Sequence, residues 1–274
     1  MSVKSMVESI LGPQTPIGRS ARRLRERMLE LRYGRTGMVR VVNGAAFRVL
    51  PGHSRFFSQD YDAPVAAFLR DRVKPGETCI NVGANVGVYT LQFAKWNAPD
   101  GPVIAFEPNP ATAAILKRHV ALNGLGGRVR VMERAVAETP GTATFYVQGT
   151  DGMSRLGVPN PLLEKPSPIQ VEVTTLDRFC EQERIHPHWI LIDVEGFEPA
   201  VLAGFRETLG ASKLPQVIVE MHPDAWNVAG SSREHFTQLL ANLQLRPVPL
   251  TGQRDAMTDY GLVYLERLDA NKHT

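Results

Sequence analysis

The chain has very little cysteine, no long apolar run and no decisive excess of charge, and each shortage removes a class of protein. Cys79 and Cys180 are the two cysteines among 274 residues. Two thiols, one in a β-branched run and one in a helical stretch, suit buried reduced side chains rather than a disulfide framework or a metal site. No apolar run approaches the roughly 20 residues of a membrane span. Residues 1–10 carry Lys4 and Glu8 where a signal peptide would place its apolar region. The expectation is a soluble cytoplasmic protein without a transmembrane segment. Net charge is +3, with seven arginines against Glu26 and Glu30 over residues 19–35 and −2 for everything else. Outside that run the chain lacks the basic field that nucleic-acid binding needs, so no nucleic-acid partner is expected.

What is present is 43% hydrophobic residues, enough for the core of one large α/β domain. Residues 1–60 read as an N-terminal extension. Within it, 18–33 predicts a basic amphipathic helix with Leu24, Met28 and Leu31 at helical spacing, and 38–42 and 46–50 flank Asn43-Gly44, a strong hairpin signal. The arginine face reads as solvated surface, with docking to an anionic carrier or lipid headgroup as the sharper alternative. Residues 61–274 read as the main domain. A helix over 63–73 opens it, with Gln59 and Tyr61 just ahead.

From Pro75 onward strands near 78–82, 103–106, 129–132, 189–193 and 216–221 alternate with helices near 86–96, 110–122, 198–208 and 233–243, and 261–266 closes the set. That alternation predicts a mostly parallel sheet with helices on both faces. Ligands of such sheets bind at the carboxyl ends of the strands, so Asn81, Glu107, Glu133-Arg134-Ala135, Asp193 and Glu220 are expected to converge on one edge. The interval 140–175, with two β-like runs around a Gly/Pro-rich stretch containing Met153-Ser154, breaks the alternation and reads as a lid-like insertion.

Residues 75–87 organise the chain: a β-branched run empties into a turn spaced by Gly83, Asn85 and Gly87. A dinucleotide fingerprint would need glycine at 83, 85 and 88, and Asn85 with Val88 argue against an oxidoreductase. Glu107 ends the next strand, 24 residues past Gly83, where a carboxylate can accept both ribose hydroxyls of a nucleoside. The plainer reading of Glu107 is an acid at a helix N-terminus. Residues 189–198 form an apolar strand ending in Asp193, Glu195 and Glu198, with Gly196 allowing a sharp turn and Pro199 opening a helix that Glu198 would serve. His222 follows Glu220 at another strand end; it reads as a base or as a strand-end histidine making a local hydrogen bond.

Asn81-Val82-Gly83-Ala84-Asn85-Val86-Gly87, Phe106-Glu107-Pro108, Thr175-Leu176-Asp177, Ile192-Asp193-Val194-Glu195-Gly196-Phe197-Glu198, Val201-Leu202-Ala203-Gly204 and Val219-Glu220-Met221-His222 together resemble the FkbM family of methyltransferases. The resemblance covers about residues 60–222. It implies the class I methyltransferase fold, S-adenosylmethionine as cofactor, and O-methylation of a hydroxyl on a sugar, glycan or secondary metabolite, small or carrier-linked. It implies cofactor contacts from Asn81, Gly83, Ala84, Asn85 and Gly87, from Glu107, Pro108 and Asn109, from Arg134 and Ala135, and from Asp193. Tyr61, Ser154 and Glu220 are the substrate-side candidates, and His222, Asp193 and Glu195 the catalytic ones. Asn81 stands where aspartate is usual, which weakens contact to the cofactor amine, and Leu191 where lysine is common, which removes a charge.

Methyl transfer from a sulfonium needs alignment and a base. With His222 as the base, activity is expected to rise with pH through the histidine range. The acids are hard oxygen ligands of the kind magnesium or calcium takes, but the sequence shows no dedicated ligand loop and no metal is expected. N-methylation, a non-catalytic nucleoside-binding partner module and self-association stay open at this stage.

Overall fold

The computed structural model describes residues 24, 27–150, 152–210, 215–227 and 229–268. Half of the expected helix over 18–33 lies outside them, and 27–33 is helical with Met28 and Leu31 exposed. The hairpin follows as β1 (Met38–Val42) and β2 (Ala45–Val49), paired antiparallel. Asn43 and Gly44 both sit at positive φ, 48° and 82°, the twist that a two-residue hairpin turn requires.

Five parallel strands form the centre of a seven-stranded sheet: β3 (Cys79–Val82), β4 (Val103–Phe106), β5 (Val129–Met132), β10 (Trp189–Ile192) and β11 (Gln216–Met221). β12 (Leu245–Pro249) and β13 (Gly261–Arg267) extend it antiparallel, giving the order β12-β13-β11-β10-β3-β4-β5. Alternate residues of these strands face opposite cores. Ile80, Val82, Ile104, Ile190 and Val217 pack against α4 (Leu176–Glu183), α5 (Glu198–Ala203) and α8 (Arg233–Asn242). Cys79, Val103, Ala105, Leu191 and Ile218 pack against α1 (Ala63–Arg70), α2 (Val88–Trp96) and α3 (Pro110–Leu122). Burial on both faces is why these strands read as continuous apolar runs. The expected helix over 198–208 is broken: α5 stops at Ala203, and α6 (Arg206–Gly210) starts afresh beyond Gly204-Phe205, with the short α7 (Pro223–Trp226) following β11.

The interval 140–175 joins β6 (Ala135–Val136), just ahead of it, in a second sheet with β7 (Gly141–Val147), β8 (Arg155–Leu156) and β9 (Ser167–Thr174), in the order β6-β9-β7-β8. The N-terminal hairpin is not separate from the main core. Val42, Phe47 and Val49 pack with Val86, Val88 and Leu91 of the glycine turn and α2. Asn43 Nδ2 donates to Gln92 Oε1 (2.8 Å) and to the Tyr61 carbonyl (2.7 Å). His119 of α3 fixes the same junction, accepting the Leu50 N–H at Nε2 (3.0 Å) and donating from Nδ1 to the Val86 carbonyl (2.7 Å).

Candidate active site

The glycine turn after β3 is shaped by close approach. Gly83 sits at φ +80°, and a Cβ there would lie 1.6 Å from the Asp193 carbonyl oxygen at the end of β10. The space that Gly83 leaves open is therefore taken by the neighbouring strand end rather than by a ligand, and a side chain would displace the turn itself. Gly87 (φ +98°) has Leu116 Cδ1 where its Cβ would be, at 2.3 Å. Asn85 between them is left-handed at φ 48°, a region asparagine tolerates better than most residues.

Glu107 is nearly fully buried at the end of β4, and its two oxygens accept the N–H groups of Asn85 (2.8 Å) and Asn109 (2.9 Å). Burial pushes its carboxyl up to about 7, against the pull of those two hydrogen bonds. Each oxygen keeps a lone pair for a hydroxyl donor.

A cleft with about 610 Å³ of empty space opens beside this carboxylate, over the carboxyl ends of β3, β4 and β10. Gly83, Asn85, Glu107, Pro108, Arg134, Ala135, Ser154, Asp193 and Glu195 all line it. Arg134 is also paired with Glu172 at 3.1 Å. An adjoining pocket is lined by Phe56, Tyr61, Asn81, Ala84, Tyr89 and Asp193. Gly87 and Asn109 are not brought to either wall. Gly87 opens α2, while Asn109 caps α3 through Ala111 N–H and donates from Nδ2 to the Gly149 carbonyl (2.8 Å).

The acid-rich turn after β10 holds Glu195 left-handed at φ 55°, a strained position for a residue with a Cβ. Gly196 follows at φ +106°, where a Cβ would meet Ala225 Cβ at 2.6 Å. Asp193 lies between the two pockets, and burial, then Glu220 with which it shares a hydrogen bond, raise its affinity for protons well above the ordinary aspartate range. Burial raises Glu195 too. His222 Nδ1 lies 2.9 Å from Glu198 Oε1, and Nε2 lies 3.9 Å from Glu195 Oε2. Burial alone would lower the proton affinity of His222, but the hydrogen bond and charge of Glu198, with Glu195 and Glu220, outweigh it and hold the imidazole up to about 9. Among the described residues, Asp193, Glu195 and His222 have ligand atoms within 4.8 Å of one another, a separation that a divalent cation could bridge. Glu220 does not line the cleft; it accepts a hydrogen bond from Tyr260, whose ring lies 5.3 Å from that of His222.

Sequence reasoning missed Tyr260, Phe145, Leu156 and Phe197, all contributed by the insertion, the acid turn or the last connection of the sheet. Nothing local in the sequence marks them, because their partners are distant along the chain.

The sequence profile of the methyltransferase FkbM domain matches residues 81–247. The chain belongs to the FkbM methyltransferase family. Among its relatives, 2-O-methyltransferase NoeI of Sinorhizobium fredii is 28% identical over 152 residues, covering 50% of this chain and 60% of that protein. The 31-O-demethyl-FK506 methyltransferase FkbM of Streptomyces tacrolimicus is 29% identical over 215 residues, covering 67% of this chain and 81% of that protein. The chain thus spans 60% of the length of the first of these relatives. A solved methyltransferase FkbM from Methylobacillus flagellatus KT is similar with a TM-score of 0.47 and 17% identity, covering 71% of this chain and 44% of that one.

This family uses S-adenosylmethionine, and the residues present fit it. Glu107 offers the acceptor that ribose hydroxyls need. In the adjoining pocket Asn81 Oδ1 is buried without a hydrogen-bond partner while its Nδ2 is held by Thr90 Oγ1 at 3.0 Å. A buried carbonyl oxygen left unpaired is costly, and the cofactor amine is a donor of the right kind. Among the described residues no helix is long and apolar enough to cross a membrane.

Proposed function

We propose that the chain is an S-adenosylmethionine-dependent O-methyltransferase acting on a hydroxyl of a sugar-like or secondary-metabolite acceptor, small or carrier-linked. The observation that carries this reading is that Asp193 and Glu195 line the same cleft as Glu107, while His222, which lines neither pocket, has a ring nitrogen within 4.8 Å of both acids. The activities of two relatives, a 2-O-methyltransferase and a 31-O-demethyl-FK506 methyltransferase, support transfer to oxygen rather than nitrogen. Cytoplasmic residence fits two free, buried thiols.

When bound, the cofactor supplies an electrophilic methyl on a sulfonium. Glu107 holds the ribose, and Asn81 with Asp193 faces the amino-acid end. Asp193 and Glu195 face the acceptor side, and His222 Nε2 takes the proton of the acceptor hydroxyl. Tyr61 shapes the amino-acid end, and Glu220 bounds the acceptor side. The insertion serves as a lid: it brings Ser154 to the cleft and is tied down by Asn109 and by His53, whose Nε2 lies 3.2 Å from Thr150 Oγ1.

Titration calorimetry with S-adenosylhomocysteine tests the donor half, with one site expected per chain; absence of heat at millimolar ligand overturns it. Radiolabelled methyl transfer to a panel of hydroxylated acceptors tests the rest. Because the buried acids hold His222 up to about 9, turnover is expected to climb until that pH rather than level off in the ordinary histidine range.

A further inference from the structure

The sequence reading left Glu198 as an acid serving the start of a helix, and the structure gives it different work. Its side chain is fully buried. Its Oε1 accepts the Gly196 N–H (2.8 Å) and lies 2.9 Å from His222 Nδ1, and its Oε2 accepts the Trp226 Nε1–H (2.9 Å). A carboxylate with three protein donors around it is fixed in orientation.

We infer that Glu198 is the positioning residue of the site: it holds His222 through Nδ1, in one tautomer, so that Nε2 faces Glu195 and the acceptor side. This rests on the methyl-transfer reading above. Trp226 and Gly196 then act one step further out, by fixing the carboxylate that fixes the ring. Trp226 is itself buried edge-on against Phe236, 4.9 Å between ring centroids, so the support is anchored in the core of α8.

The geometry separates two jobs that a base needs. An imidazole that takes a proton at Nε2 must have a neutral Nε2 and a protonated Nδ1, and a carboxylate on Nδ1 enforces that tautomer and stabilises the imidazolium that follows. In the transfer step the methyl–sulfur bond breaks, the methyl–oxygen bond forms, and the hydroxyl proton passes to Nε2; sulfur leaves as a neutral thioether. The resulting positive ring rests between Glu198 and Glu195. The groups that face this ring from each packed element are Glu198 on α5, Asp193 and Glu195 after β10, Glu220 on β11 and Tyr260 ahead of β13, with Arg155 of β8 close to Glu195. Glu198 is the one among them in direct hydrogen bond to the ring.

The test needs no acceptor. Long-range proton–nitrogen NMR on the histidine-labelled full chain reads the tautomer and the titration midpoint of His222, assigned by the signal lost in His222→Asn. In the wild type the proton of the neutral ring is expected on Nδ1. In Glu198→Gln the proton affinity of His222 is expected to fall at least tenfold, whereas Trp226→Phe, which removes one donor and keeps the carboxylate, should leave it within threefold. A wild-type ring that carries its proton on Nε2 overturns the inference without any variant, so poor folding of Glu198→Gln does not shelter it. A folded Glu198→Gln with tautomer and midpoint unchanged overturns it equally. Calorimetry with S-adenosylhomocysteine on the same samples keeps the methyl-transfer reading separate: loss of that binding in the wild type refutes the donor site while leaving the NMR result to stand or fall alone.

Discussion

Glu107 is first a structural residue, and in the proposed reaction it also holds the ribose. Its oxygens already order the backbone at Asn85 and Asn109, so Glu107→Ala is expected to weaken S-adenosylhomocysteine binding by roughly 2–4 kcal/mol through lost ribose contacts and a loosened turn together. Its protonation adds a second expectation. With the carboxyl pushed up to about 7, the ionised acceptor is scarce below that pH, and affinity should be about tenfold lower at pH 6 than at pH 8. Calorimetry at the two pH values checks this; equal affinities would remove Glu107 from the ribose site. His222 adds the matching expectation on rate. His222→Ala should lower turnover by about 10²–10⁴ while cofactor affinity holds, as a base acting in the transition state requires.

At the scale of elements, Asn109 joins the insertion to the turn after β4 through the Gly149 carbonyl while also capping α3. Asn109→Ala is expected to cost about 1 kcal/mol of stability as a lost N-cap. It should also speed amide exchange over 148–154, because the Gly149 carbonyl loses its donor. Hydrogen-exchange mass spectrometry separates the two effects; faster exchange confined to α3 would mean that Asn109 does not tether the insertion. The break between α5 and α6 belongs at this scale too. A Cβ at Gly204 would lie 2.3 Å from the Ala137 carbonyl oxygen, so the chain turns there against the strap after β6 instead of continuing as one helix.

For the molecule as a whole, His119 ties hairpin, turn and α3 together only as a neutral ring, since Nε2 must accept from Leu50. Burial holds it down to about 4, below the unfolded value near 6.5. Its contribution is complete above pH 6.5 and is lost as the pH falls towards 4, amounting to about 3 kcal/mol. Thermal melts between pH 7 and 4 should show that loss, and His119→Gln should flatten it; parallel slopes would contradict the assignment.

Much of this architecture was legible in the sequence because parallel strands buried on both faces write continuous apolar runs, and because Asn43-Gly44, Gly83 and Gly196 mark turns that few residues can make. β12 was not legible: Pro247 and Pro249 disguise it, and they are tolerated because β12 is the edge of the sheet. The two-residue strands β6 and β8 carry no periodicity to read. The candidate site was legible on its donor side, where motif and ligand edge coincide in short stretches, and much less on the acceptor side. There Glu198 looked like a cap and Tyr260 like nothing in particular, because Trp226, His222 and Glu220 come from other strands and helices.

The Asp193 carbonyl occupies the room a side chain on Gly83 would need, so the ends of β3 and β10 meet with no slack between them. Donor and acceptor are then not independent guests. A shift of Asp193 on binding one must be felt at the turn that seats the other, and by linkage the help or hindrance is the same in both directions. In the proposed reaction, the coupling of the two sites traces to one missing methyl group.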